Sequence, residues 1–197
     1  MLDYIKGSIA ELNPTFVVID NHGIGFMLNI SLSSYDALTR VGQGQEALLY
    51  VHEVIREDAH LLYGFVSKKE REAFLLLISV SGVGANIARM VLSSMSVEEF
   101  SQAIASSNVA MFKSVKGVGA KTAQRIIVDL KDKIKLADGT LLHSTGQAIG
   151  ESFDEALAAL VMLGFSQQAS QKVLKSLFSS NPALSVELAI KQALKMM

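Results

Sequence analysis

The amino-acid sequence predicts a multidomain α+β protein, with a β-rich segment first and helical segments after it. Short runs of β-forming residues bounded by turn residues fill residues 1–66, and helical periodicity dominates residues 67–135. A stretch with three glycines, residues 136–150, then precedes a last helical segment, residues 151–197. Of the 197 residues, 50% are apolar, so the chain can bury substantial hydrophobic cores.

The N-terminal segment contains five short runs rich in β-branched and aromatic residues, as expected of strands. They are Tyr4–Ala10, Thr15–Ile19, Gly25–Ile30, Ala47–His52 and His60–Phe65. Five strands in this length favour a small closed barrel, and an OB-fold is the natural candidate. Another small barrel or a sandwich stays open, because strand patterns alone do not distinguish these folds.

The loop before the last predicted strand, Arg56–Ala59, carries two adjacent carboxylates, Glu57 and Asp58. A solvated turn is the simplest interpretation, since loops lie on the protein surface and carboxylates there stay hydrated. Two carboxylates would repel DNA, so close to DNA they are useful only where repulsion is the purpose.

A ten-residue pattern occurs twice in the central segment, residues 67–135. Ser79–Ala88 reads SVSGVGANIA, and Ser114–Ala123, 35 residues further on, reads SVKGVGAKTA. Helical periodicity flanks each copy, so each copy is predicted to form a helix, a tight glycine turn and a second helix. Helix starts are also indicated by the spacing of a capping box, which occurs at Ser67–Glu70, Ser96–Glu99 and Ser152–Glu155.

The two glycine turns are predicted to bind phosphate. Glycine permits a sharp turn that a Cβ would oppose, and the next helix begins with unpaired N–H groups at the positive end of its dipole. Such contacts fix a protein on a DNA backbone without reading its sequence. The candidate phosphate-binding residues are Gly82, Gly84, Asn86 and Arg89 in the first copy, and Lys116, Gly117, Gly119, Lys121, Thr122 and Arg125 in the second.

The charge distribution supports a nucleic-acid partner, although the whole chain has a formal net charge of −1. Residues 1–66 hold 3 basic and 8 acidic side chains, whereas residues 67–135 hold 11 basic and 6 acidic ones. The segment with the duplicated turns is therefore the positively charged part, as a phosphate-binding surface requires. A solvated, lysine-rich helical surface is the competing interpretation.

Other sites for phosphate or for catalysis fit the sequence poorly. A dinucleotide-binding fingerprint needs a third glycine where Ile87 and Thr122 stand, and a P-loop needs glycine at Val115 and Ala120. The competing interpretation is that the two glycine turns contribute only to packing against the core.

The sequence also shows no catalytic or metal site. The four histidines lack metal-ligand spacing, and no nucleophile–base pair is evident. We therefore expect no catalytic residue, no metal and no cofactor, ATP included, in this chain.

The C-terminal part is predicted to be a flexible linker followed by a small helical domain. Residues 136–150 combine three glycines with small polar residues and lack periodicity. Residues 151–197 show three helical patterns, with breaks near Gly164 and at Asn181–Pro182. A domain this small has little core, so part of its apolar surface is predicted to bind a partner.

Three features lead us to expect a cytoplasmic protein. Cysteine is absent, and the first residues, Met1–Lys6, lack the basic and apolar regions of a signal peptide. No apolar run is long enough to span a bilayer.

In this order, these features resemble the RuvA family, whose members bind Holliday junctions for branch migration. The resemblance rests on the five-strand segment, on Arg56–Phe65, on the paired Gly-Val-Gly turns and on a three-helix segment with Leu163-Gly164-Phe165. It covers essentially the whole chain. It implies an OB-fold β-barrel, a tandem helix-hairpin-helix domain, a flexible linker and a C-terminal three-helix, UBA-like domain.

The resemblance also implies a mechanism. A homotetramer, or an octamer of two tetramers, would hold an opened, square four-way junction, with Glu57 and Asp58 as an acidic pin that parts the strands. Residues 151–197 would bind a RuvB-type hexameric ATPase, with Leu163 and Phe165 as candidate contacts. That motor, and not this chain, would use ATP, and a RuvC-type junction resolvase would be a further partner.

The first glycine turn departs from the family, which often has Pro-Lys where this chain has Ala85-Asn86. The first hairpin thus lacks a positive charge, and its backbone amides would hold phosphate more weakly. A rival hypothesis is a helix-hairpin-helix accessory subunit of a repair nuclease. That subunit would show metal-dependent cleavage in its complex and would need no tetramer.

Overall fold

The computed structural model describes residues 2–141, 148–181 and 184–196. The chain divides into two compact units, Met1–Leu136 and Ala137–Met197. The elements up to the helix that crosses this division are β1 (Tyr4–Asn13), β2 (Phe16–Asn21), β3 (Ile24–Asn29), α1 (Leu32–Val41), β4 (Glu46–Ile55), β5 (His60–Phe65), α2 (Lys68–Ile78), α3 (Ala85–Ser94), α4 (Val97–Ala105), α5 (Val109–Lys113) and α6 (Ala120–Leu141). The second unit contains α7 (Ala148–Met162), α8 (Gln167–Ser180) and α9 (Val186–Ala193).

The five strands close a barrel in the order β1-β2-β3-β5-β4, and β4 pairs back onto β1. The neighbours are antiparallel except β3 and β5, which run parallel through the pairs Leu28–Leu62 and Asn29–Tyr63. Alternating side chains fill the interior, and those with no exposed surface are Ile9, Val17, Ile19, Leu28 and Leu49. The predicted OB-fold is confirmed.

One helix of the barrel, α1, was not predicted from the sequence. It connects β3 to β4 and begins after Ser31, whose hydroxyl oxygen accepts a hydrogen bond from the Ser34 N–H at 3.0 Å. Serine is a favourable N-cap residue, and Leu38 buries its side chain against the barrel core. The serines at positions 31, 33 and 34 were the available signal for this helix start.

Aromatic packing joins the barrel to the central helices. The ring of Phe74, on α2, lies with its centroid 5.2 Å from that of Tyr63 and 4.9 Å from that of Phe65, both on β5. From these rings a continuous hydrophobic core extends through the central helices to Leu130. The barrel and the helices that carry the glycine turns are therefore packed as one compact unit.

A buried carboxyl group, that of Glu70, links α2 to α1 at this junction. The Ser67 hydroxyl caps α2 by accepting the Glu70 N–H at 3.1 Å. The Glu70 carboxylate, however, accepts hydrogen bonds from the hydroxyls of Ser31 at 2.5 Å and Ser34 at 2.7 Å. The reciprocal capping box predicted at Ser67 is therefore wrong, because the glutamate turns inward to α1. Burial raises the pKa of Glu70, and the serine hydroxyls oppose that rise by stabilising the carboxylate.

The other two predicted capping boxes have opposite outcomes. At α4 the Glu99 N–H donates to the Ser96 hydroxyl at 3.1 Å, and the Ser96 N–H donates to the Glu99 carboxylate at 2.8 Å, which confirms the prediction. At Ser152 the prediction is wrong, because α7 begins at Ala148 and places Ser152 inside the helix.

Helix covers both ends of the segment predicted as a flexible linker, residues 136–150. The helix α6 runs to Leu141, and α7 begins at Ala148. Alanine and leucine favour helix in residues 136–141, and the glycine at position 139 costs only about 1 kcal/mol in a helix interior. The linker prediction is thus corrected at its ends, and residues 142–147 lie outside the described residues.

The second unit is a three-helix domain, as predicted. The helices α7, α8 and α9 each contact the other two. They surround a core formed by Ala156, Leu160, Leu174, Phe178, Leu184, Ala189 and Ala193. Within the described ranges, none of the helices combines the length and apolar character needed to cross a membrane.

Candidate nucleic-acid interface

The first glycine turn links α2 to α3 through residues 79–84. Gly82 adopts a φ of +88°, a left-handed conformation that side chains disfavour. The Val83 N–H donates to the Val80 carbonyl at 3.0 Å, and both valine side chains are buried. The two valines thus anchor the turn to the core, while Gly82 and Gly84 are exposed.

The second turn, residues 114–119, repeats this geometry. Gly117 has a φ of +89°, and the Val118 N–H donates to the Val115 carbonyl at 3.0 Å. Both of these valines are also buried. The duplicated sequence therefore forms a duplicated backbone, as predicted.

Each turn leaves the start of its second helix open. In α3 the first helical hydrogen bond runs from the Ala88 N–H to the Gly84 carbonyl at 3.0 Å, and in α6 the matching bond runs from Ala123 to Gly119 at 2.9 Å. The N–H groups before these bonds have no helical acceptor. A Cβ built on Gly84 or Gly119 would meet no atom within 4 Å, so an anion can approach the amides closely.

The second turn carries its own positive charge. Lys116 and Lys121 are exposed, and in the described parts of the chain neither forms an ion pair. Thr122 is half-buried in the first turn of α6. These groups and the open amides form the strongest candidate phosphate site of the molecule.

The first turn lacks such lysines. Asn86 is exposed at the start of α3. Arg89, the other predicted phosphate contact, donates from Nη1 to the Thr15 carbonyl at 3.0 Å and to the Asn29 side-chain oxygen at 3.5 Å. Arg89 is thus held by the barrel, and phosphate binding by Asn86 and Arg89 stays a prediction.

Two basic residues of α6 lie against the first turn, although their sequence positions follow the second. Arg125 Nη1 donates to the Ser81 carbonyl at 3.2 Å and to the Ser81 hydroxyl at 3.3 Å. Lys133 Nζ donates to the Ser79 hydroxyl at 2.9 Å. Lys133 was not among the predicted site residues, and its only signal was its place in the basic central segment.

The acidic loop forms the tip of the hairpin between β4 and β5. Beyond the last strand residues, the Arg56 N–H donates to the Ala59 carbonyl at 2.8 Å. Glu57 and Asp58 are exposed at the turn, and neither has an ion-pair partner among the described residues. Their position allows them to repel an anion that approaches the tip.

In the part of the chain that the structure describes, no set of three or more histidine, aspartate and glutamate side chains could hold a metal ion. His60 Nε2 lies 3.2 Å from the Glu53 carboxylate, which also accepts the Leu2 N–H. The chemistry that the turns and the tip offer is anion binding and charge repulsion.

Comparison with known families assigns the chain. Three family models match consecutive parts of it: the RuvA N terminal domain over residues 1–64, the SAM-like Helix-hairpin-helix tandem over residues 74–132, and the RuvA, C-terminal domain over residues 151–197. Curated relatives match the full length. A protein from Bacteroides fragilis, named Holliday junction branch migration complex subunit RuvA, is 50% identical over 206 residues, with 99% of each chain covered. A protein of the same name from Parabacteroides distasonis is 51% identical over 199 residues, with 100% of each chain covered.

The chain belongs to the RuvA family. The resemblance inferred from the barrel, the paired turns and the three-helix segment is therefore confirmed. The tandem helix-hairpin-helix match spans both glycine turns. The RuvA C-terminal match begins within α7 and continues through α8 and α9.

The two candidate partner contacts in the RuvA C-terminal domain have different surroundings. Leu163 is 60% exposed and follows Met162, which is 88% exposed and was not singled out from the sequence. Phe165 packs against the core of the domain, and its N–H donates to the Leu160 carbonyl at 3.2 Å. Leu163 and Met162 are therefore available for a partner, whereas Phe165 contributes mainly to the core.

Proposed function

We propose that this chain binds four-way DNA junctions as a tetramer and serves as the DNA-binding subunit of a branch-migration complex. The observation that carries the proposal is the pair of equivalent, open glycine turns in one compact unit with an exposed acidic tip. Family membership supports it, because the full-length relatives are named as RuvA subunits of a Holliday junction branch migration complex.

The two turns would bind the phosphates of the junction arms. Backbone amides at the starts of α3 and α6 would donate to phosphate oxygens, and Lys116 and Lys121 would add charge at the second turn. Because these groups contact no bases, binding would depend on DNA shape rather than on sequence. Affinity would also fall with salt, with a slope of log affinity against log salt of about −0.9 for each phosphate neutralised.

Glu57 and Asp58 would act by repulsion. In a fourfold tetramer the four tips would meet near the axis, where the strands of a four-way junction cross. Carboxylates there would repel phosphates, while the turns hold the arms further out. Attraction at the arms and repulsion at the centre would favour an opened junction over a linear duplex, which has no crossover.

A separate motor would supply the movement. We propose that residues 151–197 bind a RuvB-type hexameric ATPase through the exposed apolar side chains of Met162 and Leu163. ATP hydrolysis would take place in that motor, so this chain would be non-catalytic and would bind no cofactor. A RuvC-type junction resolvase would be a further partner in recombination and repair, and bacterial DNA as the substrate implies a cytoplasmic location.

A helix-hairpin-helix accessory subunit of a repair nuclease is not favoured. General docking on DNA requires only the tandem hairpins, residues 74–132 in the family match. It explains neither the RuvA N-terminal match over residues 1–64 nor the RuvA C-terminal match over residues 151–197.

Competition between a four-way junction and a linear duplex with the same arm sequences tests the proposal. We expect preferential binding of the junction, and native mass spectrometry should show complexes with four or eight chains of 21.2 kDa each. Equal affinity for the two DNAs, or a junction complex with one or two chains, would contradict it.

A further inference from the structure

We infer that Arg125, in the helix of the second hairpin, supplies the positive charge for phosphate binding at the first glycine turn. This inference rests on the proposed binding of phosphate by both turns. It assigns the residue to a different site from the one that its sequence position indicates.

The first turn has no cation of its own beside the open amides. In the internal repeat, Ser81 stands where the second copy has Lys116, and Asn86 stands where it has Lys121. Arg89, the basic residue of α3 nearest the turn in sequence, is bonded to the barrel. The amides at the start of α3 would therefore meet a phosphate without help from the side chains of their own hairpin.

The guanidinium of Arg125 contacts the residue of the first turn that aligns with a lysine of the second turn. Its Nη1 donates to the carbonyl and to the hydroxyl of Ser81, the residue that aligns with Lys116, at 3.2 and 3.3 Å. Both bonds use one nitrogen of a group with five N–H donors, so the group can still donate to an oxyanion. The side chain is exposed, which leaves this part of the first turn open to a ligand.

The helix of the first hairpin has no basic residue at the position that corresponds to Arg125. The repeat position of Arg125 in α3 is Met90, which has no charge. The two turns thus obtain their charge by different routes: the second from Lys116 and Lys121 in its own hairpin, and the first from Arg125 across the interface between the hairpins, with Lys133 of the same helix at Ser79. Since α6 also begins at the second turn, this one helix links the two proposed phosphate sites.

The salt dependence of junction binding tests whether Arg125 acts through its charge. Arg125→Gln keeps a polar side chain but removes the charge, and Arg125→Lys keeps the charge. We expect R125Q to make the slope of log affinity against log salt shallower by about 0.9, the value for one phosphate contact, and R125K to keep the wild-type slope. An unchanged slope in R125Q would overturn the inference.

A second variant shows which turn Arg125 serves. Asn86→Lys places a cation directly at the first turn, so its gain in junction affinity should be larger in the R125Q background than in the wild type. In the matched background Lys121→Ala, which alters the second turn, the gain should equal that in the wild type. Equal gains in the wild type and R125Q, or the largest gain in K121A, would overturn the assignment to the first turn.

The same measurements separate this inference from the proposed function. If the wild type showed no preference for a junction over a duplex, the proposed function would fail. If that preference were present, but R125Q left the salt slope unchanged or N86K gave equal gains in the wild type and R125Q, only the role of Arg125 would be rejected. Melting temperatures of all variants should match the wild type, because residues 86, 121 and 125 are exposed.

Discussion

The two glycine turns have the same backbone and different charges. Gly82 and Gly117 have φ values of +88° and +89°, and each turn is closed by a hydrogen bond of 3.0 Å between buried valines. The second turn adds Lys116 and Lys121, whereas the first has serine and asparagine at these positions. The geometry of a phosphate site and its charge therefore come from separable parts of the sequence.

The largest expected effects come from alanine substitutions of the two glycines of the second turn, Gly117 with a positive φ and Gly119 without one. Gly117→Ala should lower the free energy of unfolding by about 1–2 kcal/mol, because its φ of +89° is strained for alanine. Gly119 has no positive φ, so Gly119→Ala should keep the melting temperature. Its methyl group would nevertheless obstruct the phosphate and weaken junction binding about tenfold, as expected for the loss of one charge-assisted hydrogen bond.

Thermal unfolding and a binding titration on the same samples check this pair. The matched variant Gly84→Ala makes the same change at the first turn and should weaken binding less than G119A, because the lysines are at the second turn. Normal junction affinity in G119A would show that the amides of α6 do not contact phosphate.

The next effect compares the charges at corresponding positions. Lys121→Ala should lower junction affinity and make the slope of log affinity against log salt shallower by about 0.9, since one phosphate contact is lost. Asn86→Ala, at the matching position of the first turn, should leave the slope unchanged because it removes no charge. Titrations at several salt concentrations measure both. Equal slopes for K121A and the wild type would exclude Lys121 as a phosphate contact.

A smaller effect of opposite sign is expected at the acidic tip. Glu57→Gln combined with Asp58→Asn removes two repelling charges, so the double variant should bind the junction at least as tightly as the wild type. Glu72→Gln with Glu98→Gln removes two exposed carboxylates from α2 and α4 and controls for net charge. Weaker binding by the tip variant in an equilibrium titration would argue that these carboxylates make structural contacts instead.

The smallest effect concerns Glu70, which joins the barrel to the helices of the turns. Burial raises the pKa of Glu70 above 4.5 in the folded protein, so folding is favoured most when this carboxyl is protonated. Its contribution is complete below pH 4.5 and is lost as the pH rises through the raised pKa. Relative to Glu70→Gln, the wild type should therefore lose stability as the pH rises from 4.5 through the raised pKa.

Urea unfolding at several pH values measures this difference. Glu72→Gln, on an exposed position of the same helix, is the control for removing a carboxylate from α2. The prediction would be contradicted if the difference in unfolding free energy between the wild type and E70Q stayed constant as the pH rises.

Local patterns were enough to predict most of the fold. The five strands, the two glycine turns and the capping box at Ser96 depend on residues close together in the chain, and the structure contains all of them. The helix α1 was not predicted, because its serine cap lies between two predicted strands of a β-rich segment. The capping box at Ser67 was wrong because Glu70 finds better partners in α1, 36 and 39 residues away in sequence.

The candidate site was predicted less completely, for the same reason. The glycines and the lysines of the second turn could be identified from the repeat itself. The contact of Arg125 with Ser81 joins residues 44 positions apart, and that of Lys133 with Ser79 joins residues 54 apart. Both depend on how α6 packs against the first hairpin, which no local pattern in the sequence reveals.

The most direct measurement follows the bases at the crossover of a four-way junction. If the turns hold the arms while Glu57 and Asp58 part the strands, 2-aminopurine at the crossover should fluoresce more strongly when wild-type protein saturates the junction. The same base in a linear duplex should not respond, and E57Q/D58N should bind the junction with a smaller increase. An equal increase with the tip variant, or none with the wild type, would contradict the claim.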